Sequence, residues 1–176
     1  MLGSVVWPPE PIRTERLVLR QSEGRDRATI IELLASPEVG LYVGGAQDRD
    51  ELERALPEVP GERPGFFVVE LDGAAIGTVT LSGRNPESLY PEAGGTELGY
   101  LFLPDAWGRG YAGEACAAAL DWFASACPGE AVVLSTQTAN ERSLRLASKL
   151  GFTEVARYHA YGAEQCLASW SGRVQP

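Results

Sequence analysis

The chain is poor in the residues that carry most metal and thiol chemistry. It has one histidine, His159, and three cysteines, Cys116, Cys127 and Cys166, none of them in a Cys-x-x-Cys pair. One histidine and scattered thiols assemble no zinc cluster by spacing. An odd, dispersed set of cysteines reads as free thiols packed like small hydrophobes, and it places the expected location in the reducing cytoplasm. A Ser-His-Asp hydrolase would need a G-x-S-x-G elbow, which is missing. No window reaches about 18 consecutive apolar residues, so no membrane span is expected. The opening MLGSVVWPPEP has no basic stretch ahead of an apolar one, so no secretory leader is expected either. Lysine is scarce as well: Lys149 is the only one among the 15 basic residues. Against them stand 24 acidic residues, a formal net charge of −9. Nucleic acids and anionic membranes need a basic footprint, so neither is an expected partner. A cationic small molecule or peptide would be steered inward instead.

What is present is ordinary globular usage: 176 residues, 44% hydrophobic and 22% charged. That length and composition predict a single domain over residues 1–176, with residues 1–13, carrying Pro8, Pro9 and Pro11, as an extended lead-in. Residues 16–21 alternate as a strand, and residues 25–36 have helical spacing, ended by Pro37. A shorter helical stretch covers residues 48–56. Apolar strands at 66–71 and 75–81 flank Asp72-Gly73 and predict a hairpin. Residues 96–103 form a strand stopped by Pro104. An Ala-rich helix at 111–126 presents Ala112, Cys116, Ala119, Leu120 and Phe123 on one face. A strand at 131–136, a helix at 141–150 closed by Gly151, and a last hairpin around Gly162 complete the order. The fold class is α/β: a mixed twisted sheet of about seven strands with about four helices. Its one parallel crossover, residues 96–136, should be right-handed.

Two segments carry chemistry. In Trp107-Gly-Arg-Gly-Tyr-Ala-Gly113, three glycines stand between a strand and a helix, where outward amide N–H groups and the helix dipole suit a phosphate or pyrophosphate. The bland alternative is a plain glycine-rich turn. The G-K-[ST] ending of a P-loop is absent, which argues against ATP or GTP. NAD is set aside too, on the expectation that the glycines depart from the dinucleotide fingerprint. The second segment runs from Thr136 to Phe152. Asn140 falls where a helix begins, and alone it reads as an N-cap, with Ser143 simply exposed in the first turn.

Together the two segments resemble the GNAT superfamily of acyl-CoA-dependent N-acyltransferases, and within it the RimJ/RimL-type branch. The likeness runs through T-E-R-L-V-L-R (residues 14–20), E-L-G-Y (97–100), W-G-R-G-Y-A-G-E-A (107–115) and N-x-x-S-x-x-L-x-x-K-x-G-F (140–152). It implies a GNAT-like fold and acetyl-CoA as acyl donor, with no metal. It implies that the amides of Arg109, Gly110, Ala112 and Gly113 hold the pyrophosphate, and that an amide near Phe102 or Leu103 polarises the acetyl carbonyl. The pantetheine would lie between two splayed parallel strands, and Asn140 would bond it near the thiol end. Many members carry a Tyr seven residues after this asparagine to protonate the thiolate. Here that position is Ala147, and the resemblance passes the role to Ser143, with a water, Tyr158 or Tyr161 as alternatives. Glu97 is the implied base for the acceptor amine, with an outward-facing strand glutamate as the alternative. Arg109, Arg142, Arg145 and Lys149 are either cofactor contacts or a solvated face in which Glu141 and Arg145 pair at i,i+4.

The expected reaction is direct acetyl transfer to a primary amine, on a small molecule or a protein N-terminus, without an acyl-cysteine. A catalytically silent acyl-CoA-binding module and a transferase of a bulkier acyl group such as succinyl are the alternatives. Glu32, Glu38, Asp48, Asp50 and Glu51 make the region expected to choose the acceptor acidic, which favours a cationic amine. A homodimer is among the expectations, since dimers are common in that branch. Trp7 and Trp170 would then be either interface anchors or core.

Overall fold

A computed structural model gives the fold and describes residues 2–172. Its eight strands are β1 (Ile12–Arg13), β2 (Leu17–Arg20), β3 (Phe66–Leu71), β4 (Ala74–Gly83), β5 (Thr96–Phe102), β6 (Val132–Gln137), β7 (Thr153–Ala160) and β8 (Ala163–Trp170). They form one sheet in the order β1-β2-β3-β4-β5-β6-β8-β7. The helices are α1 (Arg27–Ala35), α2 (Pro37–Gly40), α3 (Arg49–Ala55), α4 (Tyr111–Ala126) and α5 (Glu141–Leu150). Among the described residues no helix is long and apolar enough to cross a membrane.

The strand alternation sorts the side chains onto two faces. Leu17, Leu19, Val79, Leu81, Leu98 and Phe102 are buried on the face covered by α4. Helix α4 buries Ala115, Cys116, Ala119, Leu120 and Phe123 there, and its small residues let it lie close to the sheet. Ala115 takes the place expected for Ala112, which sits half-buried in the first turn. The opposite face, carrying Thr78, Thr80, Gly99 and Leu101, packs under α1.

The structure refines three expectations. The extended lead-in ends in a short strand, in which Ile12 and Arg13 pair with Leu19 and Val18. Helix α1 ends at Ala35, just ahead of Pro37 as expected, but Pro37 also opens the next helix. It occupies the first turn of α2, where a missing N–H costs nothing, and Ser36 Oγ caps that turn by accepting from the Val39 amide at 3.3 Å. The tryptophans are core: Trp7 meets Phe67 edge-on with ring centroids 5.1 Å apart, and Trp170 is buried. All three cysteines are buried and unpaired, and burial pushes the Cys116 thiol far up. That is the behaviour of filler rather than of a nucleophile.

One ion network anchors the sheet edge to the first helix. Arg20 donates to both oxygens of Asp26, at 2.8 and 2.9 Å, and to Glu70 at 2.7 Å. Burial pushes the Asp26 carboxyl up, but the Arg20 guanidinium and the Glu23 amide outweigh it and hold it below the usual carboxylate range. Glu70 is lowered chiefly by its Arg20 hydrogen bond. Folded-state pKa values depressed in this way contribute stability above the unfolded carboxylate pKa of about 4, and that contribution is lost as pH falls below it. Asp26→Ala should lower unfolding stability at pH 7 by about 3 kcal/mol, because it strands a buried guanidinium. The difference from the wild type should shrink in urea unfolding at pH 3. An equal difference at both pH values would refute the assignment.

Candidate active site

The site begins where one ladder stops. β5 and β6 run parallel and are in register only at Thr96–Val132 and Glu97–Val133. Beyond those two rungs β5 stays bonded to β4 as far as Phe102, and β6 to β8 as far as Gln137, while the two strands part from each other. The gap opens into a cleft of about 910 Å³. Residues 98–102 of β5 form one wall, Leu134, Ser135 and Thr136 of β6 the other, and the α4 and α5 N-termini lie at its mouth. The Leu103 amide donates to the Ile76 carbonyl at 2.9 Å, toward β4. Antiparallel alternation therefore turns the amides of Leu98, Tyr100 and Phe102 the other way, into the gap. Of the two donors expected at this point, only Phe102 faces it.

Helix α4 starts at Tyr111, after Gly110 in the left-handed region at φ 81°. No side chain caps this end. The first α4 amide bonded within the helix is that of Glu114, to the Gly110 carbonyl at 3.1 Å. The N–H groups of Tyr111, Ala112 and Gly113 are left facing the mouth, as an oxyanion of phosphate requires. Gly110 is required for its left-handed φ, which residues with a Cβ rarely adopt.

The Arg16 guanidinium is part of a brace that residue spacing did not reveal. Glu114 accepts from Thr14 Oγ1 at 2.6 Å, from the Arg16 amide at 2.9 Å and from Arg16 Nε at 2.7 Å. Arg16 then donates to the Arg109 carbonyl at 2.9 Å and lies 4.5 Å over the Tyr111 ring. Burial alone would raise the Glu114 carboxyl, but these donors outweigh it and hold it low. Trp107 braces the loop from the other side. Its indole N–H donates to the Phe102 carbonyl at 2.8 Å, and Arg142 lies 5.4 Å over its ring. Trp107 thus ties the loop to the end of β5.

At the other helix, Asn140 caps α5 by accepting from the Ser143 amide at 3.2 Å, and it lines the cleft. Ser143 is buried rather than exposed, because α5 turns its first-turn serine inward against β5. Its Oγ lies 2.6 Å from the Tyr100 hydroxyl. Tyr100 was legible only as a letter in E-L-G-Y, since its partner lies 43 positions away. Burial pushes its hydroxyl pKa up, against the pull of the Ser143 hydrogen bond, so it stays a proton donor at neutral pH. Tyr161 is 97% exposed, and Tyr158 packs on Tyr90 outside the cleft. Arg142, Arg145 and Lys149 line the cleft, whereas Arg109 contributes backbone to the loop and its side chain is exposed. Arg145 also pairs with Glu141 at 3.5 Å. Glu97 is half-buried on the α1 face, at the last paired rung, and lies outside the cleft lining.

The glycines need one further correction. Gly108, Gly110 and Gly113 do stand at G-x-G-x-x-G spacing. What separates them from a dinucleotide site is context: the following strand ends at Gln137, with no acidic residue for a ribose.

The model of the acetyltransferase (GNAT) domain matches residues 16–153. The chain belongs to the GNAT acetyltransferase family. It is therefore an acyltransferase enzyme. It is 28% identical over 165 residues to the uncharacterised N-acetyltransferase YoaA of Bacillus subtilis, covering 85% of this chain and 88% of that one. Among solved structures, a GNAT-family acetyltransferase from Bacillus anthracis superposes with TM-score 0.76 at 19% identity, over 92% of this chain and 98% of its own. RimL, a ribosomal L7/L12 α-N-protein acetyltransferase solved with coenzyme A, superposes with TM-score 0.69 at 13% identity, over 92% and 98%.

Glu114→Ala should cost about 1–2 kcal/mol in urea unfolding, because it removes three hydrogen bonds and releases Arg16. Unchanged stability would mean that the brace does not hold the loop.

Proposed function

We propose that the protein is an acetyl-CoA-dependent N-acetyltransferase that moves an acetyl group onto a primary amine by direct attack. The observation that carries this reading is the parted β5–β6 seam, with unpaired α4 amides at its mouth and the Ser143–Tyr100 pair on its wall. The residues fit the donor. Amides of the 109–113 loop bond the pyrophosphate, and Arg142, Arg145 and Lys149 supply positive charge in an otherwise acidic protein. The inward amides of β5 hydrogen-bond the pantetheine arm, and the Asn140 side-chain amide donates near the thiol end. The RimJ/RimL branch rests on the four sequence motifs, since the likeness to RimL supports the fold alone.

The transfer forms a C–N bond and breaks the C–S bond. The Phe102 amide polarises the acetyl carbonyl as negative charge develops on its oxygen. Glu97 takes the proton of the acceptor amine through water, being set back from the seam on the acceptor face. Ser143 gives its proton to the departing thiolate and is reprotonated from Tyr100, which burial keeps protonated. No cysteine takes part.

Thiol release from acetyl-CoA in the presence of an amine tests these roles. Ser143→Ala and Glu97→Gln should each lower kcat by about 100-fold, the usual scale for a lost acid or base, with the dissociation constant for CoA little changed. Tyr100→Phe should act in the same direction and more weakly. Full turnover in both Ser143→Ala and Glu97→Gln would overturn the assignments.

A further inference from the structure

A second hollow, of about 240 Å³, lies on the α1 face of the sheet and shares Val43 and residues 99–101 of β5 with the cleft. It therefore approaches the same stretch of strand as the seam, but from the other side. Its walls are Ile30, Leu33, Leu34, Val43, Phe66 and Leu101. Its polar side chains are Thr78 and Thr80, and Thr80 already reaches the Gly99 carbonyl at 3.5 Å, while Tyr100 borders it from β5 with its own side chain on the other face, toward Ser143. No charged side chain lines it among the described residues. A Cβ on Gly99 would come within 2.9 Å of Thr80 Oγ1, so the glycine keeps the floor open.

The rim is apolar as well. Val43, which lines both hollow and cleft, is 61% exposed, and Leu41, which lines the cleft, is 65% exposed, high values for large aliphatic side chains. The segment that carries them is held across the seam by the Gln137 side chain, which donates to the Tyr42 carbonyl at 3.5 Å. The acidic residues expected to attract a cation do not reach this hollow. Asp48 is spent on the α3 cap, accepting from the Glu51 amide at 2.9 Å. Glu32, Asp50 and Glu51 are exposed and line neither hollow, while Glu38 faces only the cleft. A second ammonium in the hollow would be desolvated with no counter-charge.

We propose that this hollow is the acceptor subsite, and that it selects amines bearing an uncharged apolar group of about the bulk of a leucine or phenylalanine side chain. The proposal rests on the acetyl-transfer reading and narrows its acceptor. It departs from the expectation that the acidic residues of this region favour a cationic amine.

The test compares glycinamide, L-leucinamide, L-phenylalaninamide and spermidine in thiol release from acetyl-CoA. In parallel, calorimetry measures binding of the same amines to the CoA-loaded protein. Leucinamide and phenylalaninamide should exceed glycinamide in kcat/KM by about 30-fold, within the range an apolar pocket gives. Val43→Asp, at an exposed position, should erase that preference, and Leu34→Ser, at a residue that lines the hollow but not the cleft, should weaken it while the CoA-induced rise in Tm persists. Equal rates for glycinamide and leucinamide, or a preference for spermidine, would overturn the proposal while leaving acetyl transfer standing. Absence of thiol release with every amine, together with no CoA-induced rise in Tm, would overturn the transfer reading and the subsite with it. Tight leucinamide binding that Val43→Asp leaves unchanged would place the apolar contact elsewhere and refute the subsite.

Discussion

Two backbone rungs, Thr96–Val132 and Glu97–Val133, are all that join the two halves of the sheet through β5 and β6. Each strand is fully paired on its outer side, β5 with β4 and β6 with β8, so each half keeps its own twist and the halves part. Backbone N–H groups on the inner edge of β5 are then left without a ladder. Such groups must bond something, and in this fold the available partners are water or an extended molecule lying in the seam. The cleft, the helix ends at its mouth and the hollow behind it are all arranged around that break.

Charge is distributed to match. The protein carries a net charge of −9, yet the cleft mouth gathers Arg142, Arg145 and Lys149 beside the open N-terminus of α4. The one acidic group in the first turn of α4, Glu114, would repel an anion there. It is instead turned onto Thr14 and Arg16, and Arg16 spends its remaining donor capacity on the loop carbonyl at Arg109. The same brace that neutralises the carboxylate also keeps the loop amides aimed outward. Trp107 does the equivalent work from the β5 side.

Much of this was legible in the sequence wherever the signal is local. The alternation of β2, the apolar run of β3, the helical face of α4, the Asn140 cap and the glycines around residue 110 each depend on neighbours within a few positions. Local reading failed where the deciding partner is distant. Ser143 reads as a solvated helix residue until Tyr100, 43 positions earlier, is found 2.6 Å away. Glu114 reads as a first-turn acid until Thr14, 100 positions earlier, is found on it. The apolar hollow draws Val43, Phe66, Thr80 and Leu101 from four separate stretches of chain. No periodicity encodes that meeting, and the acidic residues beside it in sequence do not line it.

The central claim is that the parted seam is an acyl-CoA site, and the measurement that tests it most directly is thermal unfolding with and without ligand. CoA or acetyl-CoA at about 100 times its dissociation constant should add roughly 2.7 kcal/mol of stability. At roughly 2–4 °C per kcal/mol for a domain of this size, both should raise Tm by about 5–10 °C, while ATP and NAD should leave it unchanged. No rise with either CoA or acetyl-CoA, or an equal rise with NAD, would contradict the account.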